Sequence, residues 1–174
     1  MVDTKYTLGW NYRAWGRPLG NVKFDFLVPS MRILEIGASR HSITSLTFDG
    51  MVDEIVVGYY QSEERAHIED YLEKVQRYYK LRSKYVLRRI DAFNFDEKFD
   101  LIIMKSVLGG LMRTNETSLE MVEDFIKGLL KDNVRAKGGL VTLDNGKPFF
   151  HDIINYLGAR KNKCPSMQSM ESKS

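Results

Sequence analysis

The chain has 174 residues, of which 43% are hydrophobic, so it has the size of one domain with a buried core. Its 26 basic and 23 acidic residues leave a net charge of +3, which does not require a nucleic-acid or membrane partner. The single cysteine, Cys164, excludes an internal disulfide, and no apolar run is long enough to span a bilayer. We therefore expect a cytoplasmic protein that binds no nucleic acid and needs no metal.

The first half of the chain contains a leader, two strands and two helices. Residues 1–30 are rich in aromatic residues interrupted by glycine and proline, which predicts an irregular leader packed on the domain. A buried strand at 32–37 and a short helix at 42–50 follow. A second strand at 54–60 precedes a helix at 62–82, whose early acids and late bases suit the helix dipole.

The second half adds three strands, at 85–90, 99–106 and 137–144, and an amphipathic helix at 117–131. Strands that alternate with helices at this spacing form parallel β-α-β units with right-handed crossovers. We therefore predict an α/β fold: an open, doubly wound sheet of five parallel strands with helices on both faces, within a domain at 31–160.

Polar and small residues follow each of the first four predicted strands. In a doubly wound sheet, ligands bind at the carboxyl ends of the strands where the strand order reverses, so these residues should meet at one site. Glycine after the first strand permits a turn that other residues resist, and the small residues behind it leave room for a ligand. The residues are Glu35, Gly37, Ala38 and Ser39 after the first strand, Tyr60, Gln61 and Ser62 after the second, Asp91 and Ala92 after the third, and Lys105 and Ser106 after the fourth.

Three motifs occur in an order and at a spacing typical of one family. They are Leu34-Glu-Ile-Gly37, then Asp91-Ala92 followed by Phe99-Asp-Leu-Ile-Ile103, and finally Gly138-Gly139-Leu140. From about residue 30 to about residue 147 the chain thereby resembles the class I S-adenosylmethionine-dependent methyltransferases, which have a Rossmann-like fold. The resemblance implies S-adenosylmethionine as the cofactor and methyl transfer as the activity.

The resemblance also implies roles for the residues at the strand ends. Gly37 and Ser39 would let the methionine part of the cofactor approach, while Glu35 orders the loop. Lys105 and Ser106 would flank the methyl group that is transferred.

For the adenosine part, the resemblance implies that Asp91 binds the adenine amino group and that Ala92 lies beside the ring. The acid that the family places at the end of the second strand, where it holds the ribose, is here Tyr60. A phenol makes one hydrogen bond where a carboxylate accepts two, which should weaken cofactor binding by about 1.5–3 kcal/mol. Gln61 or Ser62 would compensate in part.

The predicted catalytic residues are Asp144, at the end of the fifth strand, and His151 after it, with a structural role as the alternative for the histidine. No Asn-Pro-Pro-Tyr-like element follows the fourth strand, where Lys105-Ser-Val-Leu-Gly109 stands, which disfavours methylation of the amino groups of bases or of glutamine. The predicted acceptor is therefore a hydroxyl of a sugar or another small molecule.

The C-terminal part predicts a helix at 149–157 and a tail at 161–174 that is disordered by composition. Methyltransferases of this class usually continue past the fifth strand with a helix and two antiparallel strands, for which little chain remains. Proteins normally cover an apolar strand edge, so we predict either a truncated chain or a homodimer in which a second copy covers the fifth strand.

Two other functions are alternatives to the methyltransferase. An inactive domain of the same fold, acting as a binding or scaffolding module, is favoured by Tyr60, by Ser39 and His41 in place of glycines, and by the short C-terminus. A nicotinamide-dependent oxidoreductase is disfavoured, because it needs Gly-x-Gly-x-x-Gly after the first strand and an acid at the end of the second.

Overall fold

The computed structural model describes residues 24, 26–39, 43–108, 118–144, 147–152 and 162–163. Up to residue 133, the strands and the three predicted helices begin and end within a few residues of the predicted positions. The elements are β1 (Arg32–Ile36), a 3-10 helix (Thr44–Phe48), β2 (Glu54–Tyr59), α1 (Ser62–Tyr79), β3 (Lys84–Arg89), β4 (Phe99–Lys105), α2 (Leu119–Asp132), β5 (Val134–Asp144), β6 (Lys147–Asp152) and β7 (Asn162–Lys163).

The strands form one sheet in the order β3-β2-β1-β4-β5-β6-β7. The strands β1 to β5 pair in parallel, with β1 between β2 and β4. The chain runs outward from β1 in one direction to β3 and then resumes on the other side at β4. The sheet is therefore open and doubly wound as predicted, and its strand order reverses at β1 and β4, where ligands bind in such folds.

Side chains of β1 point alternately to the two faces of the sheet, and both faces are covered. Ile33 lies in the core layer beneath α1, and Leu34 lies in the layer beneath α2. The helices bury Ile68, Leu72 and Val75 of α1 and Val122, Ile126, Leu129 and Leu130 of α2. Both faces of the sheet carry a helix, as predicted.

The strand β5 begins earlier than predicted and pairs with β4 in two stretches. Phe99 pairs with Val134, but Leu101 already pairs with Gly139, so β5 bulges between these positions. A Cβ atom on Gly138 would lie 2.4 Å from the Asp100 carbonyl oxygen, which only a glycine avoids. The glycine pair of the third motif, Gly138-Gly139, thus lies at a bulge within β5.

After β5 the chain returns as the antiparallel strand β6, so the predicted helix is wrong over residues 149–152. The pairing runs from Asp144 with Lys147 to Gly139 with Asp152. The two residues between the strands are Asn-Gly, the pair that most favours a two-residue hairpin connection. The edge of β5 provides hydrogen-bond partners that an isolated helix would leave unused. The remainder of the predicted helix, 153–157, lies outside the described residues.

The edge of β5 is covered by β6, which in turn pairs with β7. A second copy is therefore not needed at this edge, and the reason for the predicted homodimer disappears. Asn162–Lys163, which the prediction placed in a disordered tail, form β7. Most of the leader and of the tail lies outside the described residues, and the domain limits at 30 and 160 stay predictions. None of the helices that the structure describes combines the length and apolar character needed to cross a membrane.

Candidate functional site

A cavity of about 480 Å³ opens at the carboxyl ends of β1, β2 and β3. Its size falls within the range of small-molecule sites. Four residues predicted to bind a cofactor line it, namely Gly37, Tyr60, Asp91 and Ala92. The structure therefore brings together groups from three strand ends, of which the first and the last are more than fifty residues apart in the chain.

The cavity also has apolar walls that the sequence analysis missed, formed by Ile36, Ile90, Phe93 and Val107. Ile36 and Ile90 end or follow strands and resemble core residues in the sequence. Their positions directly before Gly37 and Asp91 are the signal that would have identified them. Phe93 is 66% exposed, and its ring lies 4.7 Å from the ring of Phe125 in α2.

Glu35 is buried and binds the backbone of the segment that follows β1. One carboxylate oxygen accepts the N–H of Thr44 at 2.8 Å, and the other accepts the N–H of Ser45 at 2.7 Å. Burial raises the pKa of Glu35, against the opposing effects of these hydrogen bonds and of the charge on Lys105. The carboxylate thus ties the 3-10 helix to the end of β1, as the predicted loop-ordering role requires, and does not line the cavity.

The turn after β1 is narrow and leaves no room for a side chain at Gly37. Its φ is +74°, and a Cβ atom there would lie 2.8 Å from Cγ2 of Val107. The next residue, Ala38, is buried and donates its N–H to the Gly58 carbonyl at 2.9 Å. A Cβ atom on Gly58 would lie 2.7 Å from the Glu35 carbonyl oxygen. Gly58 therefore permits the close approach of β1 and β2, and Gly37 permits that of Val107 after β4.

The positively charged side chain of Arg89 flanks the end of β2, where the family resemblance implies a carboxylate. Tyr60 is 58% exposed, and the guanidinium carbon of Arg89 lies 5.9 Å from the centre of its ring. The Nε of Arg89 also donates to the Tyr60 carbonyl at 3.1 Å. Gln61 is exposed and precedes α1 as its N-cap residue without a side-chain hydrogen bond to the helix.

Asp91 begins a turn after β3 that shapes one wall of the cavity. Its Oδ1 accepts the N–H of Phe93 at 3.0 Å, and its carbonyl accepts the N–H of Asn94 at 3.0 Å. These bonds leave Oδ2 without a partner among the residues that the structure describes. The carboxylate is thus held in place with one oxygen available to a ligand.

Four other predicted cofactor residues, Ala38, Ser39, Lys105 and Ser106, do not line the cavity. Lys105 follows Ile103 on the face of β4 that packs under α1, whereas Ile36 belongs to the opposite layer. Burial lowers the pKa of Lys105 to about 8, although the negative charge of Glu35 opposes this shift. Ser106 is exposed and has a φ of 58°, a strained conformation for a non-glycine residue at the end of β4.

The two predicted catalytic residues lie at different depths of the sheet. Asp144 ends β5 and follows Leu143, which pairs with Lys105, so it lies beside the end of β4. His151 pairs with Leu140, four residues before Asp144. At about 3.3 Å per residue, this places His151 roughly 13 Å back from the strand ends. The hairpin thus places His151 away from the carboxyl ends of the strands, and its catalytic role stays a prediction.

Within the described ranges, no three histidine, cysteine, aspartate or glutamate side chains lie close enough together to hold a metal ion. The predicted absence of a metal in the whole chain stays a prediction.

No protein-family model matches the sequence, and no curated protein sequence matches it. Solved structures do share its architecture. An S-adenosylmethionine-dependent methyltransferase from Clostridium acetobutylicum has a TM-score of 0.52 at 13% identity, over 80% of this chain and 53% of that one. The cyclopropane synthase MmaA2 from Mycobacterium tuberculosis has a TM-score of 0.52 at 17% identity, over 72% and 39%. The N-methyltransferase NodS from Bradyrhizobium japonicum has a TM-score of 0.50 at 19% identity, over 75% and 65%.

These similarities confirm the predicted fold, which is the Rossmann-like fold of the class I S-adenosylmethionine-dependent methyltransferases. Identities of 13% to 19% show the fold and do not transfer an activity. The chain spans between 39% and 65% of the length of these three proteins.

Proposed function

We propose that this chain binds S-adenosylmethionine and transfers its methyl group to a small-molecule acceptor. The observation that carries the proposal is the cavity at the ends of β1, β2 and β3, which Gly37 and Asp91 line. It lies where the strand order reverses, in a sheet whose fold is shared with methyltransferases.

The residues around the cavity suit the adenosine part of this cofactor. Oδ2 of Asp91 accepts a hydrogen bond from the adenine amino group, while Oδ1 stays on the N–H of Phe93. The apolar side chains of Ile36, Ile90 and Val107 exclude water from the base. When bound, the cofactor would supply a methyl group on a positively charged sulfur, and the absence of a side chain at Gly37 would let the chain leading to that sulfur approach.

We place the acceptor at the ends of β4 and β5 and propose a hydroxyl of a sugar or another small molecule. Asp144 lies at that edge and is the residue we assign as the base for the hydroxyl proton. The segment Lys105-Ser-Val-Leu-Gly109, which lacks an Asn-Pro-Pro-Tyr-like element, supports the choice of oxygen. The fold itself does not indicate which atom accepts the methyl group, since its solved examples include an N-methyltransferase and a cyclopropane synthase.

A second function, an inactive binding module, is favoured by one specific observation. The end of β2 presents Tyr60 with Arg89 above its ring and no carboxylate for the ribose hydroxyls. Such a cavity would retain adenosine recognition at Asp91 while holding the cofactor too loosely for turnover.

Calorimetric titration with S-adenosylhomocysteine tests the proposal. Asp91→Asn keeps the acceptor for the Phe93 N–H but loses the second one, so we expect about tenfold weaker binding. Asp96→Asn is the matched control, because Asp96 is exposed in the same loop and does not line the cavity. No binding to the wild-type chain at millimolar ligand would reject the methyltransferase. Binding without methyl transfer to any of a panel of hydroxylated acceptors would favour the inactive module.

A further inference from the structure

Arg89 supplies a positive charge beside Tyr60, which lines the cavity, and we call the surface formed by these two residues the ribose corner. Arg89 is the last residue of β3, and Ile90 and Asp91, which follow it, line the cavity. Its guanidinium is fixed in two ways, by the Tyr60 ring at 5.9 Å and by the bond from Nε to the Tyr60 carbonyl. The arginine is thus held against a residue of the cavity wall.

The charge of Arg89 is not neutralised by a carboxylate in the described part of the chain. The neighbouring Arg88, by contrast, forms an ion pair with Glu97. The bond to Tyr60 uses only Nε, so the two terminal nitrogens of Arg89 remain as donors for an anion.

An arginine and a carboxylate at the end of the second strand favour riboses that differ in phosphorylation. A carboxylate at the end of the second strand accepts hydrogen bonds from free ribose hydroxyls, whereas an arginine accommodates a phosphate on the ribose. The guanidinium fork matches the geometry of phosphate oxygens. Among the described residues, the charged residue that lines the cavity is Asp91, which repels a phosphate, so the anionic group belongs at the ribose corner and the adenine belongs at Asp91.

We propose that the cavity binds adenosine nucleotides with a phosphate on the 2′ or 3′ position of the ribose, in competition with S-adenosylmethionine. The placement of adenine at Asp91 rests on the function proposed above. The recognition of the phosphate by Arg89 goes beyond that function and gives the cavity a second class of ligand.

The experiment is calorimetry on the full chain with adenosine, adenosine 2′-monophosphate, adenosine 3′-monophosphate, adenosine 5′-monophosphate and S-adenosylhomocysteine. We expect the 2′- or the 3′-phosphate to bind about tenfold more tightly than adenosine at low salt. The 5′-phosphate should gain less, because its charge lies at the other end of the ribose. Raising the salt concentration should reduce this gain in affinity over adenosine, and this test uses only the wild-type chain.

Two substitutions of Arg89 test whether this residue causes the gain in affinity for the phosphate. Arg89→Gln should remove this gain, taken as the ratio of the two affinities within the same variant, and Arg89→Lys should retain part of it. Lys84→Gln removes the same charge at the opposite end of β3 and should preserve the gain.

The outcomes separate this inference from the proposed function. Binding of S-adenosylhomocysteine, with no preference for the 2′- or 3′-phosphate over adenosine, overturns the inference alone. An equal gain for the 5′-phosphate, or a gain that survives in Arg89→Gln, overturns it as well. A gain that depends on Arg89 together with no binding of S-adenosylhomocysteine supports the inference and rejects the methyltransferase. No binding of any ligand rejects both.

Discussion

Gly37→Ala is the substitution for which the structure gives the sharpest energetic expectation. At a φ of +74°, a residue with a Cβ atom is strained, which costs about 1–2 kcal/mol. The new Cβ would also lie 2.8 Å from Cγ2 of Val107, and moving that side chain costs about 1 kcal/mol more. Alanine restricts the unfolded chain and returns about 0.5 kcal/mol. The free energy of unfolding should therefore fall by roughly 2 kcal/mol.

Urea denaturation followed by circular dichroism measures this loss, which corresponds to a melting temperature lowered by about 4–8 °C for a chain of this size. The double variant Gly37→Ala/Val107→Ala, compared with Val107→Ala alone, should show the strain of the backbone without the contact. Gly128→Ala is the matched control: a Cβ atom there meets nothing within 4 Å, and alanine in the middle of α2 should stabilise the chain by about 0.5–1 kcal/mol. A Gly37→Ala variant as stable as the wild type would refute the reasoning.

Two other predictions concern the surroundings of the cavity. Lys105 should titrate near pH 8 by NMR of the labelled side chain, and Glu35→Gln should lower this pKa because it removes the charge that raises it. Since the folded chain binds fewer protons than the unfolded chain between about pH 8 and 10.5, its free energy of unfolding should rise with pH across that window, and Lys105→Met should abolish the rise. Asn133→Ala should cost about 1–3 kcal/mol and weaken binding of S-adenosylhomocysteine, because Nδ2 of Asn133 donates to two carbonyls of the loop 95–97 beside the cavity. Asn94→Ala, which changes an exposed side chain in the same loop, should do neither.

The sequence predicts this fold well because its signals are local. An apolar run such as Ile33 to Ile36, closed by glycine, indicates a buried strand and a turn without knowledge of the neighbours. Parallel pairing then follows from the alternation with helices, and it places Gly37, Tyr60 and Asp91 at one edge. Composition alone would not have brought these residues together.

The wrong and missed predictions occur where long-range contacts determine the structure. The sequence around Phe149 and Phe150 predicts a helix, but these residues pair with the otherwise open edge of β5 and form a strand. The Asn-Gly pair before them, which favours a hairpin connection, was not used in the prediction. The same strand places His151 opposite Leu140, four residues before the end of β5. The walls at Ile90 and Val107 were missed because an apolar residue beside a cavity has the same sequence pattern as one in the core.

The cavity proposed to bind a cofactor and the place proposed for an acceptor lie at different parts of the sheet edge. The cavity is built by the ends of β1, β2 and β3 and their loops together with Val107, and none of the β5 side chains that the structure describes lines it. An acceptor site at Asp144 depends instead on the ends of β4 and β5. Changes at β5 can therefore abolish methyl transfer and leave adenosine binding intact. For this reason, ligand affinity alone does not distinguish the enzyme from the inactive module. Asp144→Asn does: it should leave the affinity for S-adenosylhomocysteine unchanged, and an equal rate of methyl transfer in that variant would remove Asp144 from the proposed chemistry.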